Sequence, residues 1–224
     1  CSEALAVARE TGDAATISGQ LNYLADVFSA RGDHFHALAA HEEALALRRT
    51  LDDPLSIANS TYNLGIAAFE NGEIERARAA FEETKTIALA VGDVLHRTAA
   101  DFMLAELDLH MGDADEAERR ILACLAVYTE LGSDRSRAEC LVVLGGCAAA
   151  RERYQDAARL FGAASRLRGD APPNRFERPV LDRYLPVLVS RLGGEERVAE
   201  LGREGARIGV DGLTAPLVHG TIAD

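Results

Sequence analysis

Apolar and polar positions along this chain return in step every 40 residues. Leucine recurs at Leu24, Leu64, Leu104 and Leu144, each followed by a small residue: Ala25, Gly65, Ala105 or Gly145. Ala37, Ala77, Ala117 and Ala157 form an unbroken second column, and His41, Phe81, Ile121 and Phe161 a bulky one with a single polar member. Val7, Leu47, Ile87, Val127 and Leu167 hold an aliphatic position through five copies. Turn signals keep the same phase. They are "RGD" at 31–33, "NGE" at 71–73 and "MGD" at 111–113, with "TGD" at 11–13, "VGD" at 91–93 and "LGS" at 131–133 between them. Self-similarity at a fixed period is the mark of a repeat architecture. Each unit is expected to be a helix pair, a first helix A and a second helix B joined by a Gly-Asp-type turn. Gly tolerates positive φ at a helix end, and the Asp or Glu after it can cap the next helix. Ala or Gly where the two helices meet lets them approach closely, and Leu24 or Phe81 types fill the space between units.

This layout resembles the tetratricopeptide repeat, whose pattern is L-G/A, then G-D/N, then A, a bulky residue and A. The resemblance covers residues 1–172, with a unit of 40 residues in place of 34, so longer helices are implied. The units then run 14–53, 54–93, 94–133 and 134–172, and 1–13 is the second helix of a truncated unit. The implied fold is all-α, a right-handed superhelix of four units and a half.

The period is lost after Leu167. The chain turns to "RGDAPPNRFERP", a break no other unit has, and the last turn signal is already replaced by "ARERY". In "FERPVLDRYLPVLVSRLGG" the residues Val180, Leu181, Tyr184, Leu185, Leu188 and Leu192 form one helical stripe. Pro179 suits a first helical turn, and Pro186 is expected to kink the helix. "EERVAELGREGARIG" reads as a second helix ending at Gly209, and "VDGLTAPLVHGTIAD" as a short third element or a frayed tail. Residues 173–224 are therefore expected to cap the apolar face that the last unit of a solenoid leaves open.

"RLFGAA-RLR" at 159–168 and "LGGEERVAELGREG" at 192–205 are similar to the end of the repeat region in a family of large bacterial regulators. Those couple a STAND-type ATPase to tetratricopeptide repeats, often with a LuxR-type or SARP-type DNA-binding domain. Val198 and Leu201 stand where that family places aromatic residues. The resemblance implies a cytoplasmic, non-catalytic sensor or protein-interaction region of a transcriptional regulator. The alternative is a free-standing adaptor or peptide-pheromone receptor. The opening "CSEALAVARE" reads as the middle of a helix with no initiator Met, so a piece of a longer protein is expected.

Composition narrows these classes. Hydrophobic residues make up 48% of 224 residues, aromatics only 5%, and Trp is absent, a balance that favours helices packed through small side chains. No apolar run approaches the roughly 18 residues of a membrane span. The net charge is −12, and the acidic excess lies in residues 1–150, so direct nucleic-acid binding by this chain is not expected. Cys1, Cys124, Cys140 and Cys147 lack metal-ligand spacing and read as reduced, mostly buried thiols.

Enzyme signatures are missing: there is no GxxxxGK[ST], GxSxG or HExxH. No cofactor or metal is expected. His34, His36 and His41 cluster, yet His34 and His41 fall in columns where other units place Ile74 or Phe81, which makes packing the expected role. His110 and Glu106, four residues apart, read as a solvated pair. A partner is expected on the concave side lined by the A helices. The repeat register places Asn22, Tyr23 and Asp26 there, then Asn59, Tyr62, Asn63 and Glu70, then Phe102, Met103, Glu106 and His110. Asn and Tyr can hydrogen-bond a peptide backbone, and Phe102 with Met103 offers an adaptable apolar patch. The groove carries none of the Lys and Arg that clamp a C-terminal carboxylate. A protein, a peptide, another domain of the same parent chain or a second copy are the expected occupants. The apolar "CLVVLGGCAAA" of the last unit is expected to lie under the cap.

Overall fold

The computed structural model describes residues 2–218; Cys1 and the last six residues of the expected cap lie outside the described residues. Among the described residues there are eleven α-helices and no strand. They are α1 (Ser2–Thr11), α2 (Ala14–Ala30), α3 (His34–Arg49), α4 (Pro54–Glu70), α5 (Ile74–Val91) and α6 (Val94–Met111), followed by α7 (Ala114–Glu130), α8 (Asp134–Ala150), α9 (Tyr154–Arg168), α10 (Glu177–Leu192) and α11 (Glu195–Val218). The chain forms two compact units, Cys1–Leu104 and Ala105–Asp224.

The short turns are made by the residues that the pattern singles out. Asp13 accepts from the backbone N–H groups of Ala15 and Thr16, Asp33 from that of His36, and Asp113 from that of Glu116, each starting a helix. Glu73, one methylene longer, makes no such cap; its carboxylate takes Asn71 and Arg76 instead. Where the repeat loses its turn glycine the backbone still demands positive φ. Asp52 sits at φ 52° in the place of Gly12 and Gly92, and Glu152 at φ 61° in the place of Gly112.

In the first unit α2 packs on α3, α4 on α5, and α3 on α4. Ala37 and Ala77 are fully buried, as are Ala25 and Phe81. Leu5, Leu21, Ala25, Ala37, Ala40 and Ala44 form one cluster, rimmed by Ile17, Leu24, Phe28 and Leu47. Small and bulky columns are matched in size. A Cβ on Gly65 would lie 2.6 Å from the Phe81 ring, so Phe81 is admitted only because position 65 is glycine. The repeat at 94–133 pairs Ala105 with the smaller Ile121. Gly65→Ala is therefore expected to cost about 1–3 kcal/mol through overpacking. Adding Phe81→Ile, the combination the chain already uses, should recover at least half of it, as read by thermal melts followed by circular dichroism. A double variant that melts no higher than Gly65→Ala alone would contradict this size matching.

The second unit repeats the arrangement, with Gly145 2.4 Å from the Phe161 ring on the same construction. Its helix α8 is buried at every position from Cys140 to Ala149. One reason is α10, which lies against it: a Cβ on Gly146 would meet Leu109, Val180 and Tyr184. Helix α10 thus covers part of this apolar stretch. Helix α10 starts at a reciprocal capping box. Asn174 Oδ1 accepts from the N–H groups of Phe176 (2.8 Å) and Glu177 (3.2 Å), and Glu177 Oε2 accepts from the Asn174 N–H (3.0 Å).

Pro186 does not end α10, which continues to Leu192. Pro186 and Asp182 are both exposed, so the carbonyl released by the missing N–H faces water. Helix α11 packs on α9 at a crossing lined by Gly162, Gly202 and Gly205. Its course breaks at Gly209 (φ 79°, ψ 176°), where the sequence places the end of a helix, and a further helical stretch follows. Cys124, Cys140 and Cys147 are buried. Burial pushes the Cys140 thiol well up and that of Cys147 up to about 12, so both stay protonated and inert.

Candidate interaction groove

The groove positions on α2 and α4, in the first unit, are exposed or half-buried. Tyr23, Asp26 and Asn59 are exposed; Asn22, Tyr62, Asn63 and Glu70 are half-buried. Two of them are anchored from behind. Asn22 Oδ1 is 3.1 Å from Nδ1 of His41, which is buried in the bulky column, so that histidine keeps a polar partner where other units bury Phe or Ile. The Tyr62 ring centroid lies 5.8 Å from that of Phe81. Glu70 faces His34 at 3.5 Å.

Asn59 and Asn63 belong to a directed chain of hydrogen bonds. Asp93 Oδ2 accepts from His96 Nδ1 (2.6 Å), which leaves His96 Nε2 as the acceptor for Asn59 Nδ2 (3.4 Å). Asn59 Oδ1 in turn accepts from Asn63 Nδ2 (3.3 Å). The chain fixes both carboxamides and leaves the Asn63 carbonyl oxygen as an acceptor beside Tyr62. A backbone N–H of a bound segment is what such an oxygen suits.

The remaining positions are placed differently. Phe102 and Met103 are buried, with 5% and 1% exposure, and offer no apolar patch to a partner. In the second unit Glu106 is also buried (7%), and only His110 is exposed, so the expected solvated Glu106–His110 pair is corrected. The register identifies the face of an A helix on which a residue lies. It does not say what covers that face. In the column Asn22, Tyr62, Phe102, Val142 the first two members are half-buried and the last two buried, and side chains become apolar in the same order.

Glu106 is an electrostatic anomaly of the second unit. Burial, with the Glu139 carboxylate beside it, pushes its carboxyl up to about 8, against a smaller opposing pull from Arg175. Its Oε1 has no hydrogen-bond partner. Burial also raises the Glu139 carboxyl, although Asn174 Nδ2 (2.7 Å) and Arg135 Nε (3.4 Å) hold it. Glu177, 2% exposed, is paired with Arg168 at 2.6 Å. This cluster under the start of α10 escaped the sequence reading, although "NRFE" at 174–177 has the spacing of a capping box and marks the docking point.

The histidines do not converge. His36 is exposed on Asp33 (2.8 Å), while His34 and His41 face Glu70 and Asn22. Among the described residues no group of three or more His, Cys, Asp or Glu is placed to hold a metal. Among them, too, no helix is long and apolar enough to cross a membrane.

Comparison with known proteins identifies the repeats. The tetratricopeptide repeat family matches residues 13–90 and 97–169. A crystal structure of BtubC (BKLC) from P. vanneervenii is similar at 17% identity and a TM-score of 0.69, over 100% of this chain and 91% of that one. A putative kinesin light chain of Podosopora anserina with nearly identical TPR-like repeats is similar at 18% identity and a TM-score of 0.60, over 91% of this chain and 96% of that one. No curated protein matches the chain significantly. Carrying its repeat columns through two matched segments, the chain belongs to the tetratricopeptide repeat family.

Proposed function

We propose that this chain is the sensor or protein-interaction region of a cytoplasmic bacterial transcriptional regulator of the STAND type, acting by binding and not by catalysis. Its repeats would be 14–53, 54–93, 94–133 and 134–172, preceded by half a repeat and followed by the cap from 173. The resemblance of residues 153–218 to the repeat ends of that family supports the parent context. The polar face of α2 and α4, with its fixed Asn59–Asn63 pair, is the observation that carries the binding role. A protein or peptide seated there would act by favouring one state of the regulator over another, which requires different affinities for the two.

Peptides selected by phage display against the whole chain test the groove. Asn22→Ala/Tyr62→Ala/Asn63→Ala is expected to lower their affinity at least tenfold with unchanged helical content. Because Asn22 also supports buried His41, Tyr23→Ala/Asn63→Ala is the companion variant, and it should lose affinity as well. Undiminished binding by both would remove the groove from the mechanism. A parent reading frame that encodes neither an ATPase nor a DNA-binding module would favour the free-standing adaptor.

A further inference from the structure

The second unit already contains a helix seated on A helices, and the repeat carries that arrangement over to the first. Helix α10 rests on α8 with Asn174, at its start, held by Glu139, and with Val180 and Tyr184 over Gly146 and Leu109. Arg175, beside its first turn, is close enough for its charge to act on Glu106. A shift of 80 residues maps α6 and α8 onto α2 and α4. Glu106 then becomes Asp26, Glu139 becomes Asn59, Val142 and Val143 become Tyr62 and Asn63, Gly146 becomes Ile66, and Leu109 becomes Ser29.

The mapped face carries Ile66 where the template has Gly146, so a helix seated there rides farther out than α10 does, and two further differences define an occupant. It is more polar, since Tyr62, Asn63 and Ser29 replace three aliphatic residues. It also lacks cations: α2 and α4 contain no Lys or Arg, and their charged residues are Asp26 and Glu70. The unit around them holds eight basic and sixteen acidic residues, a balance of −8. Asp26 is exposed, whereas Glu106 at the same register is buried beneath the cap.

We propose that the α2–α4 face of the first unit seats a cationic amphipathic helix of a partner protein as α8 seats α10, with the helix start at Asn59 and a Lys or Arg of its first turn on Asp26. This rests on the groove reading above and names the chemistry of its partner. Partner cations are drawn by the acidic unit, and exposed Tyr23 presents a ring face that a Lys or Arg can cover.

The test uses four labelled 18-residue probes of equal apolar content: a Lys-Leu amphipathic helix, its Glu-Leu counterpart, and each with a central Pro-Gly that prevents helix formation. Anisotropy titrations with the whole chain should show the Lys-Leu helix binding at least tenfold more tightly than the other three and weakening as salt is raised. Asp26→Asn should weaken it at least fivefold. Glu82→Gln, the same charge change at an exposed position on α5, should leave it within twofold. Equal losses from the two variants would reduce the effect to bulk charge and overturn the site. Equal binding of the Pro-Gly cationic probe would overturn the helix. A dimer in sedimentation that Asp26→Asn dissolves would assign the face to a second copy and overturn the partner. Selected peptides that depend on Tyr23 and Asn63 but show no cationic preference would sink this proposal and leave the groove reading standing.

Discussion

In a chain carrying Gly162→Ala, α11 is expected to come away from α9. A Cβ at position 162 would lie 2.0 Å from the carbonyl oxygen of Gly202 and 2.3 Å from its Cα. Both are backbone atoms in the middle of a helix, so no rotamer change relieves the clash, and the helices must separate along the crossing. Overpacking that side chains can absorb costs about 1–3 kcal/mol, and this contact should exceed it. Gly205→Ala should behave alike, since its Cβ would stand 2.0 Å from the Arg159 carbonyl oxygen. Gly202→Ala provides the contrast. Its Cβ would meet nothing nearer than the Gly162 Cα at 3.5 Å, an ordinary contact. Alanine is favoured over glycine in a helix interior by about 1 kcal/mol, so this variant should be neutral or slightly stabilised. Thermal melts combined with limited proteolysis of α11 separate the outcomes. If Gly162→Ala melts with the parent and α11 stays protected, the close crossing does not exist in solution.

That crossing also shows what could be read from the chain alone. The 40-residue columns identify the residues that end up buried, because Ala37, Ala77, Ala117 and Ala157 meet the same local environment in every copy. Helix ends follow for the same reason: Asp13, Asp33 and Asp113 act on backbone a few residues away. What did not follow depends on contacts that the repeat does not encode. Phe102 and Met103 have the same register as Asn22 and Tyr62 or as Tyr23 and Asn63, yet they are buried. Gly202 and Gly205 stand three residues apart in one helix, but only the partner helix shows why 205 must be glycine and 202 need not be. Val7 is exposed at 61%, whereas its column mates Leu47, Ile87, Val127 and Leu167 are half-buried. A column records an average environment, from which a single member can depart.

The pH dependence of stability should carry the signature of Glu106. Its carboxyl titrates near 4.5 when unperturbed and at about 8 in the folded chain. Between those values the folded chain holds a proton that the unfolded chain has released, so stability falls as pH rises through this window and levels off above about 8. One proton contributes at most about 1.4 kcal/mol per pH unit, which makes the total a few kcal/mol. Glutamine keeps the shape and the uncharged state at every pH. Glu106→Gln should therefore match the parent near pH 5 and exceed it by roughly 2–4 kcal/mol at pH 9, a range that follows from the same linkage. The chain's net −12 self-repels at high pH in both proteins, so the difference between the two denaturation curves is the readable quantity. Parallel curves from pH 5 to pH 9 would mean that Glu106 is not held uncharged. A growing gap accompanied by faster cleavage near Asn174 in the parent would place the cost at the docking point of α10. Glu106 and Glu139 lie there together, so each proton lost from the pair adds charge beneath the start of α10, which Arg175 and Arg135 only partly offset.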